Sequence, residues 1–437
     1  MFLTEEEFVN NTETKNFSQN VSLSYHLEDR GKNVPKLRFK GYNDEWKKIK
    51  LGEHLNICRG ASPRPIEKYI TVENNGVNWI KIGDISPKEN VIKSTKEKIT
   101  IDGAKHSRYV RKGDLILSNS MSFGRPYILE IDGCIHDGWL LIQDLEKLFD
   151  KKYLCYLLDS DTVKLQYRKY AAGGVVINLN SELVRSVSVF IPTLPEQEKI
   201  ASFLTLVDKK IEKQKELVEL LKKYKRGLLS AMFSQKLRFK DDKGNDYPAW
   251  EEKTLGEVTD NISYGLNAAS KDYDGENKYI RITDIDETTG KYNNSNIVSP
   301  DCVLSDEYKL KINDLLFART GASTGKTYLY NENDGKMYFA GFLIKFSIKK
   351  EYCSNFLFYI TQTYNYKKWV LIMSVRSGQP GINAKEYSKY KFLCPAYSEQ
   401  VKISNIILKI DNIIEKANII LESYNAYKKG LLQKMFI

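Results

Sequence analysis

The chain has 437 residues, with 67 Lys and Arg against 56 Asp and Glu, a formal charge of +11 and a hydrophobic share of 42%. That apolar fraction supports real cores and excludes a disordered chain, and at about 100–200 residues per domain the length allows two to four domains. No apolar run approaches the roughly 18 residues of a membrane span, the six cysteines are scattered without a CxxC, and four histidines are too few for a His-rich metal centre.

Residues 1–34 form an acidic, polar leader that begins MFLTEEEFVNNTETKNF. It has neither a basic n-region nor an apolar core, so it is not a secretory signal, and no role is assigned to it. Widely spaced cysteines without a disulfide pattern suit a reducing, cytoplasmic setting.

From residue 35 the chain repeats itself. Leu37-Arg38-Phe39 recurs as Leu237-Arg238-Phe239, and Trp46 with Leu51-Gly52-Glu53 recurs as Trp250 with Leu255-Gly256-Glu257. WIKIGDIS (79–86) answers YIRITDID (279–286), and KGDLIL (112–117) answers INDLLF (312–317). GGVVIN (173–178) matches GQPGIN (378–383), IPTLPEQEKI (191–200) matches CPAYSEQVKI (394–403), and YKRGLLSAMF (224–233) matches YKKGLLQKMF (427–436). An offset near 200 residues is too long for a solenoid and marks a duplicated unit.

Each copy begins with a part rich in Val, Ile, Tyr and Phe alternating with polar residues, over 35–192 and 237–395. WIKIGDI, DLILS, FLIKFSI and VSVFIP predict short strands, and 151–170 and 352–372 predict helices, so the fold class is mixed α/β (α+β). Each copy then continues into a long helix, over 193–236 and 396–437. Apolar residues there step by three and four: Leu204, Val207, Ile211, Val218, Leu221 and Leu228, then Ile407, Ile410, Ile414, Leu421 and Leu431. This is the spacing of a coiled-coil seam, and at 1.5 Å per residue the helix from Glu196 to Phe233 is a rod of roughly 57 Å. Lys225 and Lys428 occupy the same seam position in both copies, as register devices or as points where the helices splay. Two domains that each precede a helix lead to an antiparallel helix pair with pseudo-twofold symmetry; ordinary core packing is the plain alternative.

Most of the positive charge falls on the two sheet-rich parts, where it is interleaved with aromatics, as on a nucleic-acid face. Catalytic patterns fail one by one. No two prolines are adjacent, which removes the Pro-Pro element of a DNA methyltransferase. GASTGKT (321–327) has three residues between its glycines where a phosphate loop has four, and the other copy reads SMSFGRP, so a hairpin turn is expected. Asp301, Glu307 and Lys309 imitate a metal-dependent nuclease but have no equivalent in the first copy. What remains is a pair of polar tips. SNSMSFGRP faces ARTGASTGK, and CRGASPRP (58–65) faces ISYGLNAAS (262–270), so the scaffold matches while the tips diverge. Short amides, hydroxyls and cations on such tips reach base edges and phosphates; a plain surface turn is the alternative.

The doubled set of motifs (LRF…W…LGE, GDI/TDI, the DL strand with its polar tip, G…IN, P…EQ and YK(K/R)GLLxxMF) resembles the specificity subunit of type I restriction–modification enzymes, over residues 35–437. The resemblance implies two target recognition domains, at 35–192 and 237–395, joined by conserved helices that form an antiparallel coiled-coil spacer. Such a subunit reads an asymmetric, bipartite double-stranded DNA site, has no catalysis of its own, and binds no metal or cofactor. It assembles with two methylase subunits and two restriction/translocase subunits, which bring S-adenosylmethionine, ATP and Mg, and no membrane is involved. Carried onto matching positions, the candidate DNA contacts are Arg59, Ser62, Arg64, Ser118, Asn119, Ser120 and Arg125 in the first domain. In the second they are Tyr264, Asn267, Arg319, Thr320, Ser323, Thr324 and Lys326, while Gly173, Gly174, Asn178, Gly378, Gln379 and Asn383 lead the chain toward the helices, with an approach to DNA as the alternative. Two other readings stay open: a two-domain protein-interaction scaffold with a coiled-coil spacer, and a stand-alone nuclease using Asp301, Glu307 and Lys309.

Overall fold

A computed structural model describes residues 23–25, 33–84, 90–119, 124–171 and 179–437. The chain divides into two compact units, Met1–Gln214 with Ile420–Ile437, and Lys215–Ile419. The division passes through both long helices, Leu194–Phe233 and Tyr397–Met435, so each unit holds the start of one and the end of the other. Of residues 1–32, only the backbone of Leu23–Tyr25 is described, paired antiparallel with Leu37–Phe39. No helix among the described residues is long and apolar enough to cross a membrane.

In the first unit the main sheet runs in the order Leu55–Arg59, Trp139–Asp144, Leu115–Ser118, Pro126–Leu129, Val91–Ile92. Its DLILS strand is buried on both faces, which is why it reads as a continuous apolar run. Because successive side chains alternate, Leu115 and Leu117 pack into the core that includes the helix residues Leu204 and Val207. Ile116 packs on the opposite face with Ile80 and Ile135 of a second sheet. The second unit repeats this plan. Thr259–Tyr264, Leu343–Ile348, Asp314–Ala318 and Thr327–Leu329 lie in the same order, and Lys278–Ile280 runs parallel to Met337–Phe339 as Val77–Ile80 does to Gly133–Ile135.

Two details depart from the sequence pattern in the same way in both copies. The WIKIGDI and YIRITDI segments are strand only to Ile80 and Ile280; Ile82–Asp84 and Ile282–Asp284 are single 3-10 turns. Each expected helix after the main sheet is two helices, Lys151–Asp159 with Asp161–Ala171, and Ser354–Ile360 with Tyr364–Met373. A hydroxyl makes the break. Ser160 Oγ donates to the Leu157 carbonyl and accepts from the Val163 N–H, and Thr363 Oγ1 does the same between Ile360 and Tyr366, offering the backbone a cap instead of another helical turn.

The duplicated motifs meet where each long helix begins. Arg38 donates twice to Glu196 at 2.8 Å, with both side chains almost wholly buried, and Arg238 donates to Glu399 at 2.8 and 3.2 Å. The next residue, Gln197 or Gln400, accepts from the backbone N–H of Asp150 or Cys353 and donates to the carbonyl of Pro192 or Pro395. The LRF and P…EQ motifs therefore lock helix to domain. Pro195 is tolerated in the first turn, where its missing N–H has no helical partner to lose.

Lys225 and Lys428 have a defined role as well. In the first unit the Lys428 ammonium lies 2.6 Å from the Asp208 carboxylate and 5.6 Å from the centre of the Tyr156 ring, while Tyr156 donates its hydroxyl to Asp208 at 2.7 Å. In the second, Lys225 lies 2.6 Å from Asp411 and 5.5 Å from the Tyr359 ring, and Tyr359 donates to Asp411 at 3.1 Å. Burial first, then the neighbouring aspartate, hold both phenols well above their ordinary range, so they remain donors. Each clamp ties one helix to the other and both to a domain. In the first unit Lys210 also lies over Tyr424, so partners on the second helix fall as the first helix rises, an antiparallel pairing.

Of the expected seam residues, Leu204, Val207, Val218, Leu228, Ile407, Ile410, Ile414 and Leu431 are buried, and Ile211, Leu221 and Leu421 are half-buried. The burial is shared with the domains. Leu204, Val207 and Leu431 join the first domain's core, and Leu228, Ile407, Ile410 and Ile414 join the second's. A free-standing two-helix rod would leave those domain faces bare, so helix–domain packing and the helix seam use the same residues.

Candidate nucleic-acid interface

In each unit three chain segments converge at the start of the central strand, Trp139–Asp144 or Leu343–Ile348. Their backbone hydrogen bonds coincide. Gly60 N–H donates to the Trp139 carbonyl and Gly265 N–H to that of Leu343; Asn119 N–H donates to Gly138 and Arg319 N–H to Phe342. Leu179 N–H then donates to the Asn119 carbonyl, and Ile382 N–H to that of Arg319. Gly60 and Gly265 are required by the crossing, since a Cβ on either would collide with the carbonyl oxygen of His136 or Ala340. This frame places Arg59 where the other unit has Tyr264, Asn119 where it has Arg319, Asp137 where it has Gly341 and Gly138 where it has Phe342.

In the first unit the candidates gather on Asp137. Arg59 Nε donates to the Asp137 carbonyl at 2.9 Å, and Asn119 Nδ2 donates to the same oxygen at 2.8 Å. Ser62 Oγ donates to the Asp137 carboxylate at 2.8 Å, and the exposed Arg64 lies 3.5 Å from it. Burial works to raise the carboxyl, but the hydrogen bonds from Ser62 and from its own backbone, with the charges of His136 and Arg59, hold it below the usual carboxylate range. An ionised carboxylate flanked by two exposed guanidinium groups supplies an acceptor for a cytosine amino group and donors for base edges or phosphates. Three further candidates stand differently. Ser118 is wholly buried and its Oγ accepts from the Arg125 N–H, so it closes the hairpin and does not reach solvent. Arg125 is half-buried, donates to Asn90 at 2.8 Å and lies over the Tyr127 ring. Ser120, like Gly173, Gly174 and Asn178, lies outside the described residues.

In the second unit Arg319 and Tyr264 come together. The guanidinium sits 5.1 Å from the Tyr264 ring centre, and Nε donates to the Gly341 carbonyl at 3.1 Å, the carbonyl equivalent to the one Asn119 engages. Tyr264 is itself held, since its hydroxyl accepts from the Ala384 N–H. Asn267 is exposed beside them. The 321–327 segment is a turn, with Gly321–Ser323 a single 3-10 turn. Thr324 Oγ1 donates inward to the Gly321 carbonyl, the half-buried Ser323 accepts from the Lys326 N–H, and Thr320 bridges to Gly381. Lys326 faces Glu287 at 3.8 Å. These mostly main-chain contacts shape the tip, and Arg319 is the side chain set against an aromatic ring.

Asp137 and Phe342 escaped the sequence reading. The signal was present in IHDGWL against FAGFLI, a third divergent tip between matching strands. Among the described residues no group of His, Cys, Asp and Glu could hold a metal ion, and Asp301 lies 3.9 Å from Lys271.

The type I restriction modification DNA specificity domain, as a family, matches residues 43–222 and 247–422. The chain belongs to that family. It is therefore a specificity subunit of the type I restriction–modification class, without catalysis of its own. The type I restriction enzyme StySPI specificity subunit of Salmonella potsdam is 22% identical over 59% of this chain, and the match spans only 58% of that subunit's length. The MjaVIII specificity subunit of Methanocaldococcus jannaschii is 21% identical over 94% of this chain and 96% of its own. Among solved structures, the S subunit from M. genitalium superposes with a TM-score of 0.56 at 17% identity, covering 92% of this chain and 99% of that one. A chain from a structure concerned with complex assembly of the type I R-M system superposes with 0.57 at 16% identity, covering 89% and 97%. These superpositions establish the fold.

Proposed function

We infer that this specificity subunit reads an asymmetric, bipartite double-stranded DNA site, one half per unit. The observation that supports the reading is the doubled frame: the same backbone hydrogen bonds hold Arg59, Asn119 and Asp137 in one unit and Tyr264, Arg319 and Gly341 in the other. Two readers of one palindromic sequence would carry the same side chains at these places; two readers of different half-sites would carry different ones. On this reading the two long helices set the gap between half-sites and dock two methylase subunits, since half-site spacing follows protein geometry. Two restriction/translocase subunits complete the assembly. S-adenosylmethionine, ATP and Mg belong to those partners, and the assembly works on DNA in the cytoplasm.

Single-molecule methylation sequencing of DNA from cells carrying this gene with its neighbouring methylase gene tests the reading. A split N6-methyladenine motif with a fixed gap, lost on deletion of this gene, is the expected result; no dependent motif counts against it. Affinity of the purified assembly for DNA should fall steeply with salt, whereas a mostly apolar protein-binding scaffold would change little.

A further inference from the structure

Beside the Arg319 tip a cleft of about 680 Å³ opens, lined among others by Tyr264, Asn267, Arg281, Thr283 and Phe342. Two arginines reach it, and they are committed differently. Arg281 closes a two-point pair on Asp284, Nε and Nη2 each at 2.9 Å, so its fork is consumed. Arg319 uses only Nε, on the Gly341 carbonyl, and its plane is steadied by Tyr264. Its Nη1 and Nη2 have no hydrogen-bond partner among the described residues. A planar donor fork held on an aromatic face is preorganised for two parallel hydrogen bonds.

Two acceptor pairs suit such a fork, a phosphate and the O6/N7 edge of guanine. A phosphate site gathers cations, but the cleft's other cation is already neutralised by Asp284. The other polar neighbours are the Asn267 amide and the Ser270 and Thr283 hydroxyls, beside apolar side chains and two exposed aromatic rings, Tyr264 and Phe342. Neutral polar groups with apolar faces are the surroundings of a base edge. We propose that Arg319 reads a guanine through paired hydrogen bonds to O6 and N7 in the half-site recognised by the second unit. The proposal rests on the DNA-reading function inferred above. In the first unit the equivalent Asn119 is buried with its amide already donating to Asp137, so this position makes no such contact in the other half-site.

The test uses the full chain co-expressed with its methylase subunit, with long-read methylation sequencing of Arg319→Lys and Arg319→Gln beside the wild type. One guanine position in one half-site should relax, with discrimination there falling roughly ten- to a hundredfold, and the other half-site should not change. Arg319→Lys keeps the charge but loses the planar fork, so a phosphate contact would survive it while discrimination at the paired base contact would weaken. The assignment is overturned if both variants keep the wild-type motif. It is equally overturned if methylation falls evenly at all sites while thermal unfolding is unaltered, or if neither half-site contains a guanine on either strand. Should Arg319→Gln lower the unfolding temperature, Arg319→Lys carries the decision. A wild-type chain that directs no split motif refutes the DNA-reading function itself, which separates that failure from failure of the Arg319 assignment.

Discussion

At the start of the central strand the first unit draws Arg59, Ser62 and Arg64 around Asp137, whereas the second has Gly341 at that place and sets Arg319 against Tyr264 with Phe342 exposed beside them. The main-chain bonds beneath are the same. The contrast teaches that the frame is maintained by backbone donors and by two glycines at tight crossings, neither of which constrains the side chains above. Recognition can therefore diverge without cost to the fold. A second contrast lies at the helix starts, where Arg38 is buried on Glu196 but Arg238 is 27% exposed on Glu399.

Exchanging residues 36–192 for another recognition domain tests the first contrast most severely. One half-site of the methylation motif should be replaced outright and the other kept; a change in both would break the modular picture. Next in size, Arg38→Ala leaves Glu196 charged and buried, and urea unfolding should show a loss of about 3–5 kcal/mol. Arg238→Ala should lose less, because its site admits water and Trp250 Nε1 still donates to Glu399; equal losses would erase the distinction.

The helix clamps come third. Lys225→Met and Lys428→Met each strand a partly buried aspartate, at about 1–3 kcal/mol between the exposed and buried limits. Lys225 should cost more, being 12% exposed against 19% for Lys428. The smallest effect is at Asp137, whose carboxylate is 41% exposed, so Asp137→Asn should change stability by under about 1 kcal/mol. Its sign with pH is fixed. The folded carboxyl titrates below its unfolded value near 3.9, so its contribution is complete above that value and lost as pH falls through the depressed one. Unfolding midpoints of wild type and variant should therefore differ at neutral pH and converge in acid.

Much of the fold was legible because duplication doubles every local signal. The DLILS and DLLFA strands, the polar tips and the long helices all follow from periodicity and from matched positions 200 to 205 residues apart. Ser160 and Thr363 were visible as residues but not as helix breaks, since a hydroxyl that caps one helix and starts another looks like any polar position in an apolar run. The pairing of Arg38 with Glu196 spans 158 residues, beyond any local pattern. At the candidate interface, loop chemistry pointed to Arg59, Arg64, Tyr264 and Arg319. It could not distinguish an outward hydroxyl from one such as Ser118 or Thr324 that bonds back into its own turn.

The interleaving of the two units has a consequence for synthesis. Leu431, Met435 and Phe436 fill the core of the first unit, with Phe436 against Tyr153 at 5.5 Å between ring centres. A ribosome moves from the amino to the carboxyl end, so that core stays open while the whole second unit is translated and closes only on the last turns of the second helix. A nonsense mutation near residue 430 would leave the second unit's own core intact and strike the first, and a nascent chain stalled there would expose the N-terminal domain to chaperones and proteases.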